Sequence, residues 1–325
     1  MIDFTPPSIA VQIGPIPIYF YGICYALGLL LAYVVIRYGV RRRGLDENLF
    51  ANGMIIVAVF ALIGGRAYHV IDQWALYKDD LTRIFLPPYA GLGVYGGIFA
   101  GALAVIVYVR IHRQSFWAWA DVIVPGLFAM EFVARWGNFF NQELYGPPTT
   151  QPWGIAIDCG HRVAAYLCPP AGTTPAGAHF QPLFLFESIS GLLGMLILLW
   201  LSKRYEKRLR SGEIALIFFI WYAIVRFLLE YLRVDNWTFF GIPTAQIISV
   251  VVVVGALILL VIRRHRLSPG LSSPPESGPR EPAAPEPAPP DPDSSEPGLP
   301  DPGQPDQEAD DDGGSVSAEV GAPGT

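Results

Sequence analysis

Arg135-Trp-Gly-Asn-Phe-Phe-Asn-Gln-Glu-Leu-Tyr-Gly146 closes an apolar stretch that begins near Ala120. It sets an arginine, two asparagines and a glutamate at the end of a greasy segment. Ionisable side chains at membrane depth cost from about 2.5 to well over 10 kcal/mol, depending on how the penalty is measured, so they face a cavity or a partner. The stretch reads as the end of a membrane helix that carries a site.

Composition supports a membrane setting. The 325 residues are 52% hydrophobic and only 15% charged, the profile of a polytopic membrane protein. The formal charge of −6 hides a division: residues beyond Ser268 hold thirteen of the 28 Asp and Glu and one of the 22 Lys and Arg. The tail therefore carries −12 and the rest of the chain +6.

Crossing a ~30 Å hydrocarbon core takes about 20 mostly apolar residues. Seven segments qualify, near 16–38, 49–73, 91–111, 119–140, 182–201, 213–232 and 242–262. The expected fold is an all-α polytopic membrane protein of seven transmembrane helices. Basic residues collect after the odd-numbered segments: Arg41-Arg42-Arg43, Arg110 and Arg113, Lys203 to Arg210, and Arg263 to Arg266. Positive residues mark the cytoplasmic side, so the N-terminus is expected outside and the C-terminus in the cytoplasm. Met1 to Gly14 contains no Lys or Arg, so no cleavable signal is expected and the first helix is expected to be retained.

Two domains are expected, a membrane catalytic domain over 1–267 and a Pro-rich acidic tail over 268–325. The tail lacks the apolar residues to offset ordering entropy and is expected to be disordered. The outer loop at about 146–181 is rich in Pro, Gly and Thr, and reads either as a small extracytoplasmic cap or as a loose linker. Cys159 and Cys168 lie in that loop; they form a disulfide if it faces an oxidising side, and otherwise stay unpaired thiols.

Several polar constellations interrupt the apolar segments. Tyr222, Arg226 and Glu230 recur every four residues and share one helical face, with Arg233 close to that line. Such a stripe lines a pocket, or else an internal Arg226–Glu230 pair pins helix packing. Glu131, Arg135 and Asn138 repeat the pattern in the fourth segment, followed by Asn141, Glu143 and Gly146. Two buried arginines near the outer ends of their helices suit an anion, because the planar guanidinium donates two parallel hydrogen bonds to phosphate. A phospholipid head group is the anion most available at that depth. Arg66 and His69 stand one turn apart at the end of the second segment, and Glu187 opens the fifth. Gly97 and Gly101 form a small-xxx-small pair suited to close helix packing.

No G-x-S-x-G, H-E-x-x-H, phosphate-cradling P-loop or C-x-x-C occurs, and the cysteines have no metal-ligand spacing. No metal or cofactor is expected. The basic linkers read as topology signals, so no nucleic-acid partner is expected.

Arg135-x-Gly-Asn-Phe-x-Asn-x-Glu-x-x-Gly146 resembles the signature of bacterial prolipoprotein diacylglyceryl transferases. Tyr21-Gly22, Gly64-Gly-Arg66, Gly96-Gly97, Gln181-Pro with Phe186-Glu187-Ser188, and Arg226-Phe-x-x-Glu230 follow in the family's order, over residues 12–262. The resemblance implies a multi-pass enzyme of the bacterial plasma membrane. It would transfer the diacylglyceryl group of phosphatidylglycerol to the lipobox cysteine of a prolipoprotein, giving a thioether and glycerol 1-phosphate. Arg135, Arg226 and Glu143 are the implied catalytic residues. Asn138, Asn141, Gly146, Glu230, Tyr21, Tyr222 and Arg66 join Arg135 and Arg226 in binding phosphatidylglycerol. Many members carry a histidine, a proposed proton acceptor for the substrate thiol, where this chain has Tyr95. A phenol with an ordinary pKa of ~10 is a poor base near neutrality. The competing expectation is a transporter or lipid-binding protein with a buried anion site, although paired broken helices in two related halves are not evident.

Overall fold

Seven long helices organise the chain in the computed structural model, which describes residues 1–84, 91–234 and 236–266. They are α1 (Phe20–Arg42), α2 (Glu47–Asp72), α3 (Val94–Ile111), α4 (Phe116–Phe140), α5 (Leu183–Arg204), α6 (Glu213–Glu230) and α7 (Thr244–Arg266). Their starts follow local chemistry. The Asp46 carboxylate accepts from the Asn48 and Leu49 N–H groups at the head of α2, and the Ser115 hydroxyl accepts from Ala118 N–H at the head of α4. All described residues belong to one unit bounded at Ser277. The acidic tail expected at 268–325 lies outside the described residues.

Six of the helices are long and apolar enough to cross a membrane. The expected count of seven spans is met for these six, and α6 is the exception. Its 18 residues match α3 in length and in average apolarity, but they include Glu213, Arg226 and Glu230, and three ionisable side chains in that length are what set it apart.

The expectation of an all-helical chain needs correction in three short places. Strands β1 (Ile9–Ile13) and β2 (Ile16–Tyr19) form an antiparallel hairpin, so α1 begins at Phe20 and not near residue 16. The turn at Gly14-Pro15 separates two short β-branched runs, which favour a pleated ribbon over the first turn of a helix. Strands β3 (Ile155–Ala156) and β4 (His179–Phe180) pair within the 146–181 segment, and β5 (Thr238–Phe239) and β6 (Ile242–Pro243) pair between α6 and α7. Hairpins of this kind satisfy backbone polar groups where a helix has ended.

Helix α4 stands at the centre and packs against α1, α3, α5 and α6. Phe128 is wholly enclosed and meets the Phe218 ring of α6 at 4.5 Å between centroids. The Ser188 hydroxyl of α5 donates to the Phe132 carbonyl of α4 at 2.7 Å, which fixes α5 in register beside the site helix. Helices α2 and α3 approach through glycine, as the pattern at Gly97 and Gly101 anticipates. A Cβ on Gly64 would lie 2.5 Å from the Gly96 carbonyl oxygen, closer than any real side chain tolerates.

Charges gather at one end of the bundle. Asp121 at the start of α4, almost wholly enclosed, accepts from Gly212 N–H at 2.7 Å and Ala215 N–H at 2.9 Å, and pairs with Arg43 at 3.3 Å. Arg42 pairs with Glu206 at 2.7 Å and Arg264 with buried Glu213 at 2.9 Å. These contacts join the end of α1, the start of α4, the α5–α6 turn and the end of α7. The signature residues lie at the opposite end of α4.

Candidate active site

The last two turns of α4 present Glu131, Arg135 and Asn138 along one face, as their spacing requires. Arg135 reaches across to α5, where its Nε lies 2.6 Å from Glu187 Oε2, and its Nη2 lies 3.5 Å from Glu131 on its own helix. Glu187 Oε1 faces Arg233 Nη2 at 3.6 Å, so one buried carboxylate serves two guanidinium groups from different elements. Arg226 pairs with buried Glu230 one turn along α6. Arg226 and Arg233 also lie in each other's electrostatic field. The Tyr222 hydroxyl faces the same group, within electrostatic range of Glu131, Arg135, Glu187 and Arg226.

Three arginines and three glutamates thus converge from α4, α5, α6 and the segment after α6. The glutamates are nearly enclosed, whereas each arginine side chain keeps about a quarter of its surface open. That asymmetry matters chemically. The carboxylates hold the guanidinium groups in place and leave donors free for a second anion.

The signature continues beyond α4 in a tight, irregular turn. Glu143 Oε1 accepts from Asn138 Nδ2 at 2.8 Å and from Asn141 Nδ2 at 3.5 Å, which joins three of the expected site residues. Gly146 lies where no side chain fits: a Cβ there would stand 2.5 Å from Leu183 Cδ1 and 2.9 Å from the Leu232 carbonyl oxygen. Its N–H donates to the Gln181 carbonyl at 2.8 Å. Gly146 therefore lets the signature turn press against the start of α5 and the end of the arginine-bearing α6 segment. Tyr21 lies against Gly137 of α4, and its hydroxyl donates to that of Tyr25 at 3.0 Å.

Family membership follows from comparison with known proteins. The profile described as prolipoprotein diacylglyceryl transferase matches residues 8–262, more than three quarters of the chain. The chain belongs to the prolipoprotein diacylglyceryl transferase family.

Its relatives span the same body. A phosphatidylglycerol–prolipoprotein diacylglyceryl transferase of Halalkalibacterium halodurans is 35% identical over 258 residues, covering 78% of this chain and 86% of the relative. The protein so named with the number 2 in Streptomyces coelicolor is 36% identical over 276 residues, covering 83% of each. That of Listeria innocua is 30% identical over 261 residues, covering 80% of this chain and 91% of the relative.

Within this diacylglyceryl transferase the expected site residues divide. Arg135, Asn138, Asn141, Glu143, Arg226, Glu230, Tyr222, Tyr21 and Gly146 form or border the polar groups around the end of α4. Arg66 is engaged elsewhere: its guanidinium donates to the carbonyls of Ile84 at 3.0 Å, Arg83 at 2.7 Å and Gly91 at 3.3 Å, and lies over the Tyr77 ring. It fastens the connection between α2 and α3. Tyr95, in the first turn of α3, is 72% exposed, with its ring 6.0 Å from that of Tyr68. Glu187, read from sequence only as part of a pocket-candidate segment, and Arg233, given no site role, join the central group. The signals were present, in Glu187 opening the fifth segment and Arg233 close to the Tyr222 stripe.

Proposed function

We propose that this transferase moves the diacylglyceryl group of phosphatidylglycerol onto the cysteine thiol of a prolipoprotein lipobox, releasing glycerol 1-phosphate. The observation that carries the residue assignment is the sharing of Glu187 between Arg135 and Arg233, beside the Arg226–Glu230 pair. This is a preorganised cationic group with unspent donors at one end of an apolar bundle. Family membership favours this reading over a transporter or a lipid-binding protein.

The chemistry follows from the charge that moves. A cysteine sulfur attacks the glycerol carbon that bears the phosphate ester; the S–C bond forms as the C–O bond breaks, and the electron pair leaves with glycerol 1-phosphate. Arg135 and Arg226 bind the head-group phosphate and stabilise the charge that builds on it. Donors fixed in advance in a water-poor site contribute most to such a step. Glu187 and Glu230 hold the guanidinium planes. Asn138 and Asn141 bind glycerol hydroxyls or phosphate oxygens, Glu143 orients their amides, and Tyr21 and Tyr222 wall the pocket. Gly146 admits the close turn, and Arg66 acts through the loop it fastens. The thiol proton passes to solvent or a nearby base once cationic neighbours favour the thiolate.

Topology is part of the proposal. Helix α6 serves as the seventh span: 18 residues at about 1.5 Å each reach ~27 Å, near the thickness of the hydrocarbon core. The basic ends of α1, α3, α5 and α7 mark the cytoplasmic face, which puts the signature end and the 146–181 cap outside, in a bacterial plasma membrane. Residues 1–267 form the catalytic domain, and 268–325 an acidic Pro-rich cytoplasmic tail.

The test is purified protein in phosphatidylglycerol vesicles with a lipobox peptide, following peptide mass and glycerol phosphate release. A diacylglyceryl mass gain matched by released glycerol phosphate is the expected result. No gain under conditions where a family member works overturns the reading.

A further inference from the structure

Glu143 stands between two residues whose backbones are left-handed, Gln142 at φ 52° and Leu144 at φ 59°. Residues with side chains hold that conformation only where their surroundings compel it. For Gln142 the compelling contact is a reciprocal amide grip. Its Nε2 donates to Asp158 Oδ2 at 2.8 Å, and its Oε1 accepts from the Asp158 N–H at 2.8 Å. Gln142 is only 5% exposed, so this pair satisfies a buried amide at both ends.

Asp158 is itself anchored. The next residue, Cys159, is bonded to Cys168, closing a ring in the outer cap. Buried Arg162 lies inside that ring and donates to the carbonyls of Ile157 at 2.9 Å, Pro175 at 2.8 Å and Ala176 at 2.6 Å. The Tyr145 hydroxyl accepts from Val163 N–H at 2.7 Å and donates to the His161 carbonyl at 3.2 Å. A chain of contacts thus runs from the disulfide through Asp158 and Gln142 to the carboxylate that orients Asn138.

We infer that Gln142 and Asp158 are positioning residues for the transfer reaction, and that the Cys159–Cys168 disulfide makes their grip depend on the redox state of the medium around the cap. The inference rests on the role assigned to Glu143. Losing the grip lets the signature turn relax and releases Glu143 from Asn138. The phosphate-binding arginines lie outside the turn, on α4 and α6, so the larger effect falls on turnover, with a smaller loss of lipid affinity through Asn138 and Asn141. A reductant keeps the substrate thiol in its reactive form, so a rate that drops under reductant reports on the enzyme.

The experiment uses the full chain in phosphatidylglycerol nanodiscs with a lipobox peptide, and separates kcat from KM for the lipid. Gln142→Glu sets two carboxylates against each other and is expected to lower kcat by up to about 100-fold, the cost of a small misplacement at a reacting site, with a much smaller rise in KM. The double variant Gln142→Glu/Asp158→Asn restores a complementary pair, because the new amide donates to the new carboxylate, and is expected to recover most of kcat. Reductant, or Cys159→Ser with Cys168→Ser, is expected to lower the unaltered enzyme's kcat and to add little to the Gln142→Glu defect. Normal kcat in Gln142→Glu, no recovery in the double variant, or indifference of the unaltered enzyme to reductant overturns the inference. Glu143→Ala, measured alongside, separates the two failures. A dead Glu143→Ala beside a fully active Gln142→Glu removes only the positioning role, whereas an active Glu143→Ala removes Glu143 from the site and overturns both.

Discussion

Glu187 Oε2 lies 2.6 Å from the Arg135 Nε, joining α5 to the site helix α4 through a carboxylate that is almost wholly enclosed. The same carboxylate faces Arg233, so it sets the spacing between two cations that would otherwise repel. Removing one partner of a buried ion pair leaves the other uncompensated and costs about 3–5 kcal/mol. We expect Glu187→Ala to lower the thermal midpoint in detergent and to reduce kcat. A variant with unaltered melting and turnover would show that the carboxylate neither supports the fold nor places Arg135.

Arg135→Lys and Arg226→Lys keep the charge but lose the planar fork. Loss of one preorganised donor at a developing oxyanion costs about 10²–10³ in kcat, so each lysine variant should retain folding and lose turnover by that order. Steady-state rates with the lipobox peptide check it, with melting temperature as the control. Near-normal rates in either variant would remove that residue from the phosphate.

Gly146→Ala places a methyl group against Leu183 and the Leu232 carbonyl. Overpacking of this sort costs about 1–3 kcal/mol, and here it pushes the signature turn away from α5 and the end of α6. Lower thermal stability together with reduced kcat is expected. Unchanged stability would mean that the turn relaxes freely.

Tyr95→Phe removes only the phenol oxygen from a ring that is largely exposed. We expect turnover to stay close to that of the unaltered enzyme across neutral pH. A collapse in kcat would instead make the phenol an obligatory proton carrier. Tyr95→His supplies a group with an ordinary pKa of about 6.5, and a gain in rate above that pH would show that the position can host a base.

Asp121→Ala tests the opposite end of the bundle. It strips two backbone N–H groups of their acceptor and leaves buried Arg43 without its partner. A stability loss of about 3–5 kcal/mol is expected, with KM for phosphatidylglycerol unchanged in the protein that remains folded. A shift in KM without loss of stability would tie this end to substrate.

Much of the site is legible before any fold is known, because the cost of burying a charge is a local property. Arg135 and Arg226 stand out in apolar segments whatever they pair with, and Glu230 follows from its i+4 spacing. Glu187 is visible as a polar residue at the head of a span, but its partner is not, since Arg135 lies 52 positions away on another helix. Arg66 shows the converse. The family resemblance implied a substrate role for it, yet its donors are engaged by carbonyls of the following loop.

Sequence by itself determined the apolar helices, the basic face of the bundle and the two cationic helices that define the chemistry. Each depends on composition over one or two turns, or on a spacing of three or four residues. Only the tertiary structure decided that Glu187 is shared, that residues 16–19 belong to a hairpin, and that Cys159 and Cys168 are joined. Those outcomes depend on which faces meet across long separations, and contact between distant segments is set by packing of the whole chain.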